Sequence, residues 1–519
     1  MKAQIALFLS LVLTSFAVRA DFEVYFLRHG ETTWNRARLL QGSVAGTVLT
    51  PKGERMAEAT AAGMTAAGIA FDRVYTSPYT RARRTAEIVS EKGGFARPVD
   101  EPRIREMCFG TYEGLKYVRG RYVDDNLRKF FEGEDGYEPR GEGAESFGQV
   151  QARLRDFLEN ELKPLDGKVA RVLCVAHSLI LKSLVRELAG ASAPASAKKT
   201  IQPNCCVHVV KFADGKFSLG ETGRIFYDPA AFAGPSGPLM VAHRGDYPDC
   251  PEGSRPAYSN AVARASDIVK LDVNPSRDGV TIMSHDRGFK RTMGWDVKIG
   301  DVDYAEILKH EFLPKGAFAH ERVVTLPEAL AIVKYVPEFW IDFKTFTPAF
   351  CEQVLRQFAA AGIDRGRIMC ATYTTAALEY LKTRHPDIRR VGHMDFRLQD
   401  GRWSPSFLRS KGVTYAPAAA GEPYAPELLQ GILDYAKRLG LHGVNMCPNA
   451  EAVTPGLVAK LKESGLWVSI ALIHTRRQAE TFARHGHDCV VTGDVRVVRP
   501  VMADAVSCAF IRSEKGITP

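Results

Sequence analysis

The chain has 519 residues, 45% of them hydrophobic and 25% charged, with 69 Lys+Arg against 60 Asp+Glu and a formal net charge of +9. This balance excludes disordered, fibrous and polytopic membrane proteins, and the length implies two or three domains of about 100–200 residues each. The positive excess is mild and not gathered into basic runs, so it favours small anionic ligands over nucleic acid.

Met1-Lys2 gives a positive start, residues 5–18 form an apolar stretch, and Val18-Arg19-Ala20 offers small residues where a signal peptidase reads. This is the layout of a secretory signal peptide over residues 1–20, too short for the roughly 18–20 residues of a membrane span. The mature protein is therefore expected to be free of the membrane in an extracytoplasmic space, a periplasm. From Phe22 onward, strand-like runs at 23–27, 73–75 and 169–176 alternate with helical stretches at 54–67, 79–91 and 180–188, the signature of a mostly parallel α/β sheet. Residues 117–145 alternate basic and acidic side chains and read either as a cap over a site or as a solvated helical face. Near Phe226 the alternation stops, and the Pro-, Gly- and Ala-rich stretch 229–238 reads as a linker.

Beyond it, eight apolar strand-like runs recur at 239–242, 268–273, 339–343, 368–372, 390–393, 443–447, 467–472 and 489–492. Eight strands with helices between them, in about 260 residues, match a (β/α)8 barrel. Ten cysteines are too sparse for a disulfide scaffold. Cys174 and Cys370 sit inside apolar runs and read as core.

The run 23–27 leads into Arg28-His29-Gly30, which puts an imidazole at the carboxyl end of a strand, where open α/β sheets bind ligands. An imidazole can attack phosphorus and form a phosphoenzyme, and forked guanidinium groups hold the phosphoryl oxygens. A second basic segment, Ser77-Pro-Tyr-Thr-Arg81-Ala-Arg-Arg-Thr85-Ala86, opens a helix, and His177 ends the run 171–176. Together with Thr33-Trp34-Asn35, Leu49-Thr50-Pro51-Lys52-Gly53, Arg105-Glu106 and Ala176-His177-Ser178, these residues resemble the histidine phosphatase (phosphoglycerate-mutase-like) superfamily over residues 22–227. The resemblance implies a three-layer α/β/α sandwich over 21–228 that needs no cofactor. It implies His29 as nucleophile, Arg28, Arg81 and His177 around the phosphoryl group, Asn35 nearby and Glu106 as proton donor to the leaving oxygen. A secreted protein lacks the glycolytic pool, so phosphomonoesterase is preferred to mutase.

In the second half, His243-Arg244-Gly245 ends the first barrel run, Pro251-Glu252-Gly253-Ser254 follows, and Lys270-Leu271-Asp272, Ser284-His285-Asp286 and Asp342-Phe343-Lys344 lie at later strand ends. Side chains there converge on a barrel mouth. Two imidazoles facing a phosphodiester suit general acid/base work. These residues resemble the glycerophosphodiester phosphodiesterase family over residues 239–498, a TIM-type barrel. The resemblance makes His243 and His285 the acid/base pair, Arg244 the phosphate contact, Lys344 a site-lining lysine, and Asp272 and Asp342 two of three carboxylates on a calcium or magnesium ion.

Lys270 departs from that pattern, which has Glu there. An ammonium about 5 Å from a divalent ion repels it by roughly 6–7 kcal/mol at an effective dielectric of about 20. That is comparable with the whole affinity of a micromolar to millimolar site, about 4–8 kcal/mol. Two readings follow: Lys270 replaces the ion, held by Asp272 and Asp342, or the barrel is a degenerate binding module. The sequence as a whole reads as a secreted two-domain phosphoesterase acting on phosphomonoesters and glycerophosphodiesters. The alternative is an active phosphatase carried by a headgroup-binding adaptor barrel.

Overall fold

In the computed structural model, residues 21–117, 122–132, 136–189, 202–233, 237–409 and 412–502 are described. The expected signal peptide, residues 1–20, lies outside them. Two compact units fall within residues 1–31, 53–111 and 122–228 and within residues 32–52, 112–121 and 229–519.

The amino-terminal sheet has the order β3-β2-β4-β1-β5-β6, with β7 paired to β5. Its strands are β1 (Phe22–Arg28), β2 (Arg73–Thr76), β3 (Pro98–Asp100), β4 (Arg171–Ala176), β5 (Cys206–Ala213), β6 (Lys216–Leu219) and β7 (Arg224–Ile225). The four strands β1 to β4 run parallel, and β5 turns antiparallel against β1. Central strands β1 and β4 are buried at nearly every position, on both faces. Alternate side chains point to opposite faces, so burial without alternation requires a helical layer on each side: a three-layer sandwich. Cys174 is fully buried in β4, as its apolar neighbours imply. Helix Thr80–Gly93 packs against β2, β3 and β4, and helix Ser178–Ala189 against β1 and β6. Helix Asp125–Glu132, from the charged insert, buries Leu127 and Phe130, and Phe130 stacks on Phe147 and meets Phe109 edge-on. Its opposite face carries Asp125 paired with Arg128 and Lys129, so this helix is amphipathic with one buried side.

The carboxy-terminal sheet closes on itself. Its eight parallel strands are β8 (Leu239–His243), β9 (Ile268–Pro275), β11 (Glu338–Phe343), β12 (Ile368–Thr372), β13 (Arg389–Met394), β16 (Gly443–Met446), β17 (Trp467–Ile470) and β18 (Cys489–Thr492). β18 pairs with β8, and β8 with β9, which leaves no edge. A short strand β10 (Thr281–Met283) adds antiparallel to β9, and β14 (Phe396–Gln399) and β15 (Arg402–Pro405) form a separate hairpin. All eight runs read from sequence became barrel strands.

The two-residue period divides the barrel interior into layers. Val241, Ile268, Trp340, Met369, Val391 and Cys489 form an apolar plug. One step towards the carboxyl ends stand His243, Lys270, Asp342, His393, Asn445 and Ser469, all buried. The barrel is therefore sealed below and polar above. Cys370 lies in the second apolar layer, between strands and outer helices.

Candidate active sites

In the first unit, Arg28 pairs in register with Ala176, and the His29 amide donates to the Ala176 carbonyl at 3.1 Å. The ends of β1 and β4 therefore deliver His29 and His177 to one edge, with ring centroids 5.2 Å apart. Gly30 explains itself: a Cβ there would stand 2.5 Å from the Gly53 carbonyl oxygen, and one on Gly53 would stand 2.0 Å from that of Glu31. Only paired glycines let these segments approach.

His29 Nδ1 donates to the Gly30 carbonyl at 2.8 Å. That bond places the ring proton on Nδ1 and leaves the Nε2 lone pair for attack. Burial, followed by Arg81 and Arg28, holds the imidazole well below the usual histidine range, so it is neutral at pH 7. Arg81 is fully buried and donates from Nε to His177 Nδ1 at 3.2 Å. His177 must then carry its proton on Nε2, 2.8 Å from Ser77 Oγ. Arg28 donates to the Gln202 carbonyl, and its buried Nε has no hydrogen-bond partner among the described residues. An orphaned guanidinium donor beside two neutral imidazoles suits an anion.

Glu106 is 7% exposed and accepts from the Met107 and Leu179 amides at 3.1 and 3.3 Å. Burial raises its pKa against the opposing pull of Arg81. A carboxyl kept partly protonated is what a proton donor needs. Asn35 closes a capping box on the short helix Thr33–Ala37, its Oδ1 accepting from the Thr32 amide at 3.2 Å. Ser77, Thr85 and Asn204 were not assigned from sequence. Ser77 orients His177, Thr85 Oγ1 accepts from the Gly30 amide at 3.0 Å, and Asn204 donates to the His29 carbonyl at 3.0 Å. The first two lie in the Ser77–Ala86 motif, where only the arginine chemistry stands out.

In the barrel, His243 lies in register with Lys270, and Asp272 with Asp342. Lys270 Nζ donates to Asp272 Oδ1 and, at 2.7 Å, to Asp342 Oδ2. Lys344 Nζ reaches the same two oxygens at 3.1 and 2.7 Å. Burial would raise both carboxyls, but Lys270 and Lys344 outweigh it and hold them below the usual range. Two ammonium groups thus cancel two carboxylates. The family's divalent ion does not fit this set, because its own ligands are already neutralised by fixed cations at contact distance. Among the described residues, no group of three or more His, Cys, Asp or Glu could hold a metal ion.

The two expected acid/base histidines come together, ring centroids 6.2 Å apart. His243 is buried, its Nδ1 without a hydrogen-bond partner among the described residues, and burial with Lys270 and Arg244 holds it well below the usual range. His285 is also lowered by burial, but Asp272 opposes this and Asp286 accepts from its Nδ1 at 2.8 Å. Arg244 is bound by both oxygens of Glu252 at 3.0 and 2.8 Å, and Arg291 grips Glu252 and Asp286 in turn. Arg244 also has a left-handed backbone, φ +56°, a strained conformation at a site edge. Gly253 has φ +69°, a left-handed conformation that glycine adopts without strain.

His474 is a third imidazole that sequence reasoning missed. It stacks on His243 at 5.9 Å and accepts from the Gly493 amide at its Nδ1. No local motif marks it. Beside Asp272 and His285 lies a cavity of about 10 Å³, and an open one of about 550 Å³ runs along residues 286–301.

Comparison with known proteins matches these two constellations separately. Residues 24–223 match the histidine phosphatase superfamily (branch 1), and residues 243–497 the glycerophosphoryl diester phosphodiesterase family. The probable phosphoglycerate mutase GpmB of Erwinia tasmaniensis is 34% identical over 186 residues, 36% of this chain and 81% of that protein. The metal-independent phosphoserine phosphatase of Arabidopsis thaliana is 32% identical over 200 residues, 38% of this chain and 79% of its own length. Among solved structures, an Oleispira antarctica phosphodiesterase in complex with the product sn-glycerol-3-phosphate is 20% identical. That likeness covers 52% of this chain and 97% of the other, with a TM-score of 0.40.

Proposed function

Because the chain belongs to the histidine phosphatase superfamily and carries a glycerophosphoryl diester phosphodiesterase family domain behind it, we propose a secreted, periplasmic two-step phosphoesterase. In this reading the barrel opens a glycerophosphodiester, and the amino-terminal unit removes phosphate from a monoester. The families act on phosphoesters as hydrolases; the order of the two steps, the chemistry at each site and the secretion are our reading.

At the first site, the Nε2 lone pair of His29 attacks phosphorus, and the P–O bond to the alcohol breaks with its electron pair on oxygen. Glu106 gives that oxygen its proton. Water then attacks the phosphohistidine, Glu106 recovers a proton from it, the P–N bond breaks with its electron pair on His29 Nε2, and inorganic phosphate leaves. Arg28, Arg81 and His177 hold the phosphoryl oxygens throughout. The observation that supports this reading most is the His29 Nδ1–Gly30 bond, which leaves the Nε2 lone pair of a neutral imidazole free for attack, with Arg81 and Arg28 acting on the ring.

At the second site, the more strongly lowered His243 suits a base and the Asp286-backed His285 an acid. His243 takes a proton from an attacking water, whose oxygen bonds to phosphorus as the P–O bond to one alcohol breaks; His285 protonates that departing alcohol, and a phosphomonoester remains. The open cavity along residues 286–301 gives the alcohol half room. A second reading, that this barrel only binds headgroups and the phosphatase works alone, draws support from the cavity of about 10 Å³ beside His285.

The test is phosphate release from glycerophosphocholine. Release by the wild type but not by His243→Ala supports the coupled reading, and equal release by both refutes it. Secretion is tested separately: the mature amino terminus should be Asp21.

A further inference from the structure

We propose that the barrel carries a fixed cation in its own chain. Lys270 occupies the place of a divalent ion as the permanent counter-ion of Asp272 and Asp342, and Lys344 is the ammonium that an incoming phosphodiester meets. This deepens the phosphodiesterase reading and rests on it only for the nature of the incoming group.

Register produces the arrangement. Asp272 and Asp342 stand side by side on β9 and β11. Lys270 lies two residues before Asp272 on the same strand face, and Lys344 two residues after Asp342. The ammonium groups therefore reach the carboxylate pair from opposite sides, one from the sealed interior and one from the mouth. Their exposures agree: the Lys270 side chain is 4% exposed and that of Lys344 is 14%. Lys270 is walled in, whereas Lys344 can exchange a carboxylate contact for a phosphoryl oxygen.

A further chain of contacts turns hydrogen-bond donors, not lone pairs, towards the carboxylates. Ser469 donates to Asn445 Oδ1, which leaves the Asn445 amide nitrogen to donate to His393 Nδ1 at 2.9 Å. His393 then carries its proton on Nε2, 3.6 Å from Asp342 Oδ2. Lys270, Lys344 and His393 all present N–H groups where a metal ion would need electron pairs. The interior is built around a positive centre supplied by side chains.

The test titrates chelator-treated full-length protein with calcium and magnesium by calorimetry and thermal melting, beside Lys270→Glu. The wild type is expected to show no barrel binding up to millimolar ion. Lys270→Glu, with three carboxylates, is expected to gain a site, its melting temperature rising by about 5 °C in millimolar ion. A wild-type site that Asp342→Asn removes would overturn the proposal, as would turnover abolished by chelator and restored by calcium. Should Lys270→Glu not fold, Lys344→Met, expected to weaken phosphate ester binding at least tenfold, serves beside the wild-type titration; unchanged ester binding would overturn Lys344's role. A barrel that turns over no diester at all refutes the phosphodiesterase reading, and the ion titration still decides this one.

Discussion

The two histidine sites use nearly the same residue types and differ in how their charges are settled. In the phosphatase unit, Arg28 donates to a neutral carbonyl, and its buried Nε has no hydrogen-bond partner among the described residues. In the barrel, Lys270, Lys344 and Arg244 are each bound to carboxylates before any ligand arrives. Arg28 can take up an anion directly, whereas the cations of the barrel must exchange one anion for another. Charge inventory alone does not reveal a phosphate site; the pairing of each charge does.

Substitutions should separate the two arrangements, beginning with the largest effect. His29→Ala should lower phosphomonoester turnover by about 10⁴-fold or more and remove acid-labile phosphoryl label from the protein, while choline release by the barrel continues. Glu106→Gln should slow alkyl phosphates by about 10²–10⁴-fold and barely affect an aryl phosphate with a good leaving group. In the wild type, the alkyl rate should fall as pH rises through the elevated Glu106 value, because the acid form is then lost.

Arginine replacement tests the contrast directly. Arg28→Ala should cost about 10²–10³-fold in turnover, whereas Arg244→Ala, already compensated by Glu252, should cost the barrel about tenfold. Equal losses would refute the distinction.

Acid should weaken both units. His29, His177 and His243 are buried with lowered values, and His208 and His487 fall to about 4 and about 3. The unfolded chain binds protons at these positions that the folded chain refuses. Each therefore removes about 1.4 kcal/mol per pH unit as pH falls below about 6.5. Asp272 and Asp342 add a loss only below about pH 3.9, where the unfolded carboxyls take up protons. Urea denaturation at pH 7, 6 and 5 measures the slope. The smallest effect should come from Ser77→Ala, which frees one end of His177 and should slow the phosphatase about fivefold.

Much of this could be read from sequence because the relevant signals are local. Each of the eight barrel strands contributes buried apolar residues, since a parallel barrel buries both strand faces, and in β9 Val269, Leu271 and Val273 keep that signal between Lys270 and Asp272. Lys270 stands out in the sequence by its departure from the family pattern, and its ammonium lies on Asp272 and Asp342. Strand β3 escaped notice because it has only three residues and begins with Pro98. Strands β5 to β7 escaped because an antiparallel return follows no βαβ rhythm. His474 meets His243 across 231 positions, and the His393–Asn445–Ser469 chain draws single polar residues from three strands, so no short window holds either pattern.

The pairing of β18 with β8 also sets the order in which the protein can be made. Leu239 faces Cys489, roughly 250 residues downstream, and until that last strand arrives both neighbours present bare backbone edges. During synthesis the barrel thus stays incomplete until nearly its whole length has emerged, while every strand of the amino-terminal sheet lies upstream of Leu239. A nascent chain cut short before Cys489 would keep the residues of one reaction and lose the enclosure for the other.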